Sequence, residues 1–162
     1  MADAPKDTPH LEYTWEQFDS DVERIARAVE GSGRKFKQIF GLSRGGLTLA
    51  VCLSHRLKLE LYPGLEILRD LNREEAEILS YQNMEMLDDS KTPREILQEK
   101  VDRVLVIDDL SDTGAQLAPY RERKFFIATI HRKPWTKVEP DIWLHETTDW
   151  VTYPWEKYPG GE

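Results

Sequence analysis

Two carboxylates stand side by side at Asp108 and Asp109, and a third follows at Asp112, within the string Asp-Asp-Leu-Ser-Asp-Thr-Gly. A bare phosphate is repelled by such a pair, whereas a phosphate bridged by a divalent cation is drawn to it. The turn formed by Ser111, Asp112, Thr113 and Gly114 is small and polar, and its backbone N–H groups can converge on an anion. A second turn of the same character lies upstream at Ser43, Arg44, Gly45 and Gly46. Glycine lets a backbone approach an oxyanion without a Cβ in the way, and the Arg44 guanidinium offers fixed donors for phosphate. Together these residues ask for a sugar polyphosphate carried by Mg2+, with Asp108 and Asp109 as the protein's carboxylates for the metal. Each stretch also has an ordinary reading, the acidic pair as a solvated strand end and the glycine pair as a tight turn.

Residues of this kind need elements to hold them. Val104, Leu105, Val106, Ile107 and Leu110 describe a strand buried on both faces that stops at the acidic pair, and residues 115–117 open a helix behind the turn. The run 37–42 (KQIFGL) reads as another core strand, joined through the Ser43–Gly46 loop to an apolar helix over 47–57. This repeated strand, loop and helix predicts an α/β fold with both loops at the carboxyl edge of one parallel sheet, where ligands of open α/β folds bind.

The remaining chain supplies packing. Residues 1–12 are expected to form a loose arm. Thr14 with Gln17 makes a capping box, Phe18, Val22, Ile25 and Val29 share one helical face, and Gly31 and Gly33 end that helix. An extended stretch over 60–68 bends at Pro63-Gly64. A highly charged segment follows, with short helices suggested at 73–79 and 96–97 and a helix start at Thr92, Pro93 and Glu95. Pro119 prevents a long helix after the acidic turn, residues 124–130 (KFFIATI) form a further strand, and residues 141–144 extend again. Trp135, Trp143 and Trp155 are expected to plug the end of the sheet or to make a subunit contact.

At 162 residues, with 40% hydrophobic content, the chain fits a single domain with a sizeable core. A net charge of -8 argues against a nucleic-acid groove and for a small partner. Cys52 is the only cysteine, which excludes an internal disulfide and fits a reducing compartment. No apolar run reaches the ~20 residues that span a bilayer, and the opening MADAPKDTPH has no signal-peptide h-region, so a cytoplasmic location is expected.

The string VIDDLSDTG resembles the phosphoribosyl pyrophosphate motif of the type I phosphoribosyltransferases, and the resemblance extends over nearly the whole chain. The Ser-Arg-Gly-Gly loop is similar to the pyrophosphate loop of the xanthine-guanine (6-oxopurine) members. The order of Lys133-Pro134, an acidic extended segment and Asp149-Trp150, closing on Pro154-Trp155, looks like their base-recognition hood. The resemblance implies one domain over 1–162: a mostly parallel sheet flanked by helices, a mobile loop or insertion over 69–100 and a small hood over 131–162. It implies that Ser43, Arg44 and Gly45 contact pyrophosphate. Asp108, Asp109, Asp112, Thr113, Gly114, Ala115 and Gln116 would hold the phosphoribosyl group. Lys133 would donate to the purine 6-oxo group, Trp150 would stack on the ring, and the backbone of Val151 would read the 2-position. Asp112 would act as general base at N7. The implied partners are phosphoribosyl pyrophosphate, a purine base and a second copy of the chain, as homodimer or homotetramer. The family's Ser-Tyr pair is absent near residues 68–70, and Ser80-Tyr81 lies further on, inside the insertion.

Other classes fit less well. A receiver domain shares an acidic pair and a late Lys-Pro, but only about one βαβ unit separates them here. Haloacid-type phosphatases need D-x-D-x-T, which is missing, and His10, His55, His131 and His145 have no metal-ligand spacing. A non-catalytic nucleotide or phosphoribosyl pyrophosphate sensor on the same fold is the alternative, because fold does not fix function.

Overall fold

The computed structural model describes residues 8–61 and 101–157. Five parallel strands form the central sheet: β2 (Gln38–Gly41), β3 (Glu60–Leu61), β4 (Val104–Ser111), β5 (Phe126–Arg132) and β6 (Ile142–Glu146). Their order is β3-β2-β4-β5-β6. Three helices lie wholly within the described residues: α1 (Trp15–Gly31), α2 (Ser43–Leu57) and α3 (Ala118–Glu122). A separate parallel pair joins β1 (His10–Glu12) to β7 (Trp150–Thr152), and a 3-10 turn over Pro154–Glu156 follows β7.

The apolar run of β4 explains why it occupies the centre. Leu105, Val106 and Ile107 have no solvent exposure. Leu105 and Ile107 pack with Ile25, Val29, Leu49 and Leu53 of α1 and α2, while Val106 packs with Tyr120 and Phe125 in a second cluster. Helices therefore cover both faces, as a parallel sheet requires. The capping box at α1 is present, with Gln17 N–H donating to Thr14 Oγ1 and Thr14 N–H to Gln17 Oε1. Phe18, Ile25 and Val29 are its buried stripe, and Asp21 is buried among them.

Several boundaries differ from expectation. β4 does not stop at Asp108 and Asp109 but runs on to Ser111, because β5 reaches Arg132 and pairs Leu110 with His131 and Ser111 with Arg132. Residues 115–117 form a turn and the helix starts at Ala118, with Pro119 in the first turn, where a missing N–H costs nothing. α2 starts at Ser43, so Ser43, Arg44, Gly45 and Gly46 are its first turn and not a loop before it. The arm is not wholly loose: His10, Leu11 and Glu12 pair with Trp150, Val151 and Thr152. The insertion over 69–100, the helices expected within it, Ser80-Tyr81 and the bend at Pro63-Gly64 lie outside the described residues.

Candidate active site

The carboxyl ends of β2, β4 and β5 open on a cavity of about 690 Å³. Ser43, Arg44 and Gly45 form one wall, Asp108 to Gln116 the next, and Lys133, Trp150 and Val151 the wall opposite. Every site residue expected from sequence lines this one space. Two stretches about 65 residues apart in sequence, as Ser43 and Asp108 are, meet because β2 and β4 are neighbours.

The join is tight. Ser43 Oγ donates to Asp108 Oδ1 at 3.1 Å, and the N–H of Asp109 donates to the same oxygen at 3.0 Å. A Cβ on Gly45 would fall 1.7 Å from Asp109 Oδ2, and one on Gly46 would fall 2.7 Å from the Ile107 carbonyl. The glycines thus let the first turn of α2 press against the acidic pair, a closer constraint than the approach of an anion. Ser43 itself sits at φ 54, in the left-handed region, where the chain turns from β2 into α2.

Burial sets the electrostatics of the pair. Asp108, 2% exposed, is pushed well above the usual carboxylate range by burial and then by the charge of Asp109. Burial likewise pushes Asp109 up to about 6, against the lowering effect of its bond with Asp108. Glu156, also in the cavity wall, adds negative charge to Asp109. Four acidic side chains (Asp108, Asp109, Asp112, Glu156) thus face two basic ones (Arg44, Lys133) around the space. Ionised carboxylates around the space repel a bare polyanion. Asp108 and Asp109 are the residues that could hold a cation; among the described residues no cluster of three or more ligating side chains is assembled. Protein carboxylates are too few for a full Mg2+ shell, so its other ligands would be substrate and water oxygens.

On the turn after β4, Gly114 adopts φ 82, and a Cβ there would meet the backbone N of Val138 at 2.8 Å. Only glycine fits that bend without strain. Ala115 N–H donates to Thr113 Oγ1 at 3.3 Å, closing the turn on itself. Asp112 is exposed and accepts from the indole N–H of Trp135 at 2.9 Å.

The opposite wall is assembled differently. Lys133 is 5% exposed; its backbone N–H donates to the Ser111 carbonyl at 2.9 Å and its ammonium donates to the Asp149 carbonyl. Burial pulls its pKa down, with Asp112 and Asp149 acting against that. Trp150 is half-buried on β7, its backbone N–H donating to the Pro9 carbonyl at 2.8 Å.

No family model matches the chain. Over 147 residues it is 28% identical to the xanthine-guanine phosphoribosyltransferase of Nitratidesulfovibrio vulgaris, covering 88% of this chain and 82% of that one. The purine phosphoribosyltransferase of Pyrococcus horikoshii superposes with a TM-score of 0.61 at 27% identity, over 94% of this chain and 98% of that one. The chain is similar in sequence and in fold to the purine phosphoribosyltransferases. The xanthine-guanine-hypoxanthine phosphoribosyltransferase of Helicobacter pylori, at 22% identity, shares the fold with a TM-score of 0.62 over 91% of this chain and 93% of that one.

Tyr153 and Glu156 carry no site signal in the sequence, and Trp155 was expected to plug the end of the sheet or to make a subunit contact. Tyr153, Trp155 and Glu156 line the cavity, and Trp155 stacks on Tyr153 with ring centroids 4.7 Å apart and planes 10° apart. Trp135 does not plug the sheet; it is 53% exposed and holds Asp112. Its place two residues after Lys133 was the available signal, but an indole N–H finds its acceptor only in three dimensions. No described helix is long and apolar enough to cross a membrane.

Proposed function

We propose that the chain transfers the 5-phosphoribosyl group from phosphoribosyl pyrophosphate to N9 of a 6-oxopurine (guanine, xanthine or hypoxanthine), releasing pyrophosphate. One observation carries this reading: the Ser43–Arg44–Gly45 turn, the acidic strand end, the Asp112–Gln116 turn and the Lys133–Trp150 wall border a single cavity. The names and folds of the similar proteins support it.

In this reading the backbone donors around Thr113, Gly114, Ala115 and Gln116 take the 5'-phosphate, and Arg44 with the first turn of α2 takes the pyrophosphate. The buried, adjacent carboxyls of Asp108 and Asp109 fit a divalent cation, which would relieve the burial cost of ionising both. When bound, Mg2+ neutralises charge on the departing pyrophosphate. As the C1–O bond breaks and N9 bonds to C1, Asp112 accepts the N7 proton; the Trp135 indole fixes one carboxylate oxygen and the other retains acceptor capacity. Trp150 stacks on the purine, and Lys133, whose ammonium has two donors beyond the one given to Asp149, reaches the 6-oxo group.

The deciding experiment incubates the protein with Mg2+, phosphoribosyl pyrophosphate and each purine in turn, with nucleotide measured by mass spectrometry. A nucleoside monophosphate from at least one 6-oxopurine is the expected result. Tight nucleotide binding with no product from any base would overturn transfer in favour of a non-catalytic sensor.

A further inference from the structure

Beneath the cavity runs a chain of buried polar groups to which the proposed reaction assigns no task. Tyr153, 3% exposed, donates its hydroxyl proton to the main-chain carbonyl of Asp109 at 3.2 Å. A phenol has one proton, so at its contact with His131 Nδ1, 3.0 Å away, the hydroxyl oxygen must accept and the imidazole must donate. Burial pulls the His131 pKa down to about 4, leaving a neutral ring whose single N–H is thereby committed to Nδ1. The ring is held on two sides, by Tyr13 edge-on at 5.1 Å and by His145 at 5.2 Å. Tyr13 and His145 are anchored in turn on buried Asp21 of α1, at 2.7 and 2.6 Å.

The far end of this chain lies at Asp109, between two registered pairs of β4 with β5. Registered pairs between β4 and β5 pass from Asp108–Thr129 to Leu110–His131 and step over Asp109. The carboxylate of Asp109 is meanwhile packed so closely on Gly45 that there is little room for another direction. Rotating the Asp109 peptide swings that side chain with it, and displacements near 1 Å are costly in a reacting site.

We propose that Tyr153, oriented by His131, is a positioning residue that fixes the Asp109 carbonyl, aims the Asp109 carboxylate into the cavity and ties the segment after β7 to the ribose-phosphate edge. The proposal rests on the phosphoribosyl-transfer reading and adds to it residues that touch no substrate in that reading. Tyr153 is suited to the task because its ring is clamped by the Trp155 stack while its hydroxyl bridges His131 and Asp109.

The test compares wild type with Tyr153→Phe, His131→Phe and His131→Asn. The first keeps the ring and loses the hydroxyl; the second loses the donor; the third restores an amide N–H close to the place of Nδ1. Each is measured for kcat, for KM of both substrates, for calorimetric binding of phosphoribosyl pyrophosphate with Mg2+, and for thermal melting. In Tyr153→Phe and His131→Phe the affinity for phosphoribosyl pyrophosphate should fall roughly tenfold while the purine KM moves less than about twofold, and His131→Asn should recover most of the loss. If Tyr153→Phe fails to fold, the two His131 variants decide. A uniform loss in both substrates without recovery in His131→Asn would reduce the contact to fold stability and overturn the proposal, as would wild-type affinity in Tyr153→Phe. Those outcomes leave the wild type active; a wild type that makes no nucleotide removes the transfer reading and the proposal with it.

Discussion

The two sides of the cavity are built on different principles. The side proposed for the ribose phosphate comes from two short continuous stretches, the first turn of α2 and the segment from β4 through Gln116, each carrying its own glycines and polar groups. The side proposed for the base is composite: Lys133 follows β5, Trp150 sits on β7, and β7 is held by residues 9–13 from the other end of the chain. Recognition of phosphate uses backbone donors and can be encoded locally. Recognition of a flat ring uses a stacked side chain and a distant donor, so it depends on packing to bring them to one wall.

That contrast can be broken or sharpened by substitution, and the largest effect should come from the residue at the junction. Asp112→Asn should lower kcat by ~10²-fold or more while leaving nucleotide affinity intact, because it removes a proton acceptor and little volume. Turnover near wild type, in steady-state assays, would remove the general-base assignment. Gly45→Ala should weaken binding of phosphoribosyl pyrophosphate ~10- to 100-fold, since the new methyl displaces the Asp109 carboxylate that lies 1.7 Å from its Cβ position. The purine KM should stay near its original value; if calorimetry and kinetics show both substrates equally impaired, the two sides are not separable.

Trp150→Ala is the mirror test on the composite side. Losing a base stack should raise the purine KM about tenfold, with affinity for phosphoribosyl pyrophosphate unchanged. The smallest effect concerns pH. Asp109 is raised from the ordinary 3.8 to about 6, so the folded chain keeps a proton that the unfolded chain has already released. Its stabilising contribution is therefore full below pH ~4 and lost as pH rises through the folded value. Mg2+ should offset that loss, raising the melting temperature by about 2–4 °C at pH 7.5 and little at pH 5 in a thermal scan. An equal shift at both values would separate the cation from Asp109.

Much of the candidate site was legible in the string itself. Asp108, Asp109 and the turn through Gln116 are contiguous, and their chemistry follows from residue type and order. The capping box at Thr14, the buried stripe of α1 and the apolar run of β4 are likewise local patterns with fixed periods. Less visible was the continuation of β4 to Ser111, because a strand ends where its partner ends and β5 extends to Arg132. The role of residues 10–12 was hidden for the same reason: nothing in His-Leu-Glu announces a strand until Trp150, Val151 and Thr152 lie beside it.

The sequence by itself determined that an apolar strand delivers acids and a small polar turn, since hydrophobic burial and turn chemistry act between near neighbours in the chain. The tertiary structure decided what those groups touch. It pressed Gly45 against Asp109, gave Asp112 the Trp135 indole and hung the Asp109 carbonyl from Tyr153, whose hydroxyl is bonded in turn to His131. Those contacts are hydrogen bonds and close packing between residues remote in sequence, whose distances are set only when the strands find their order.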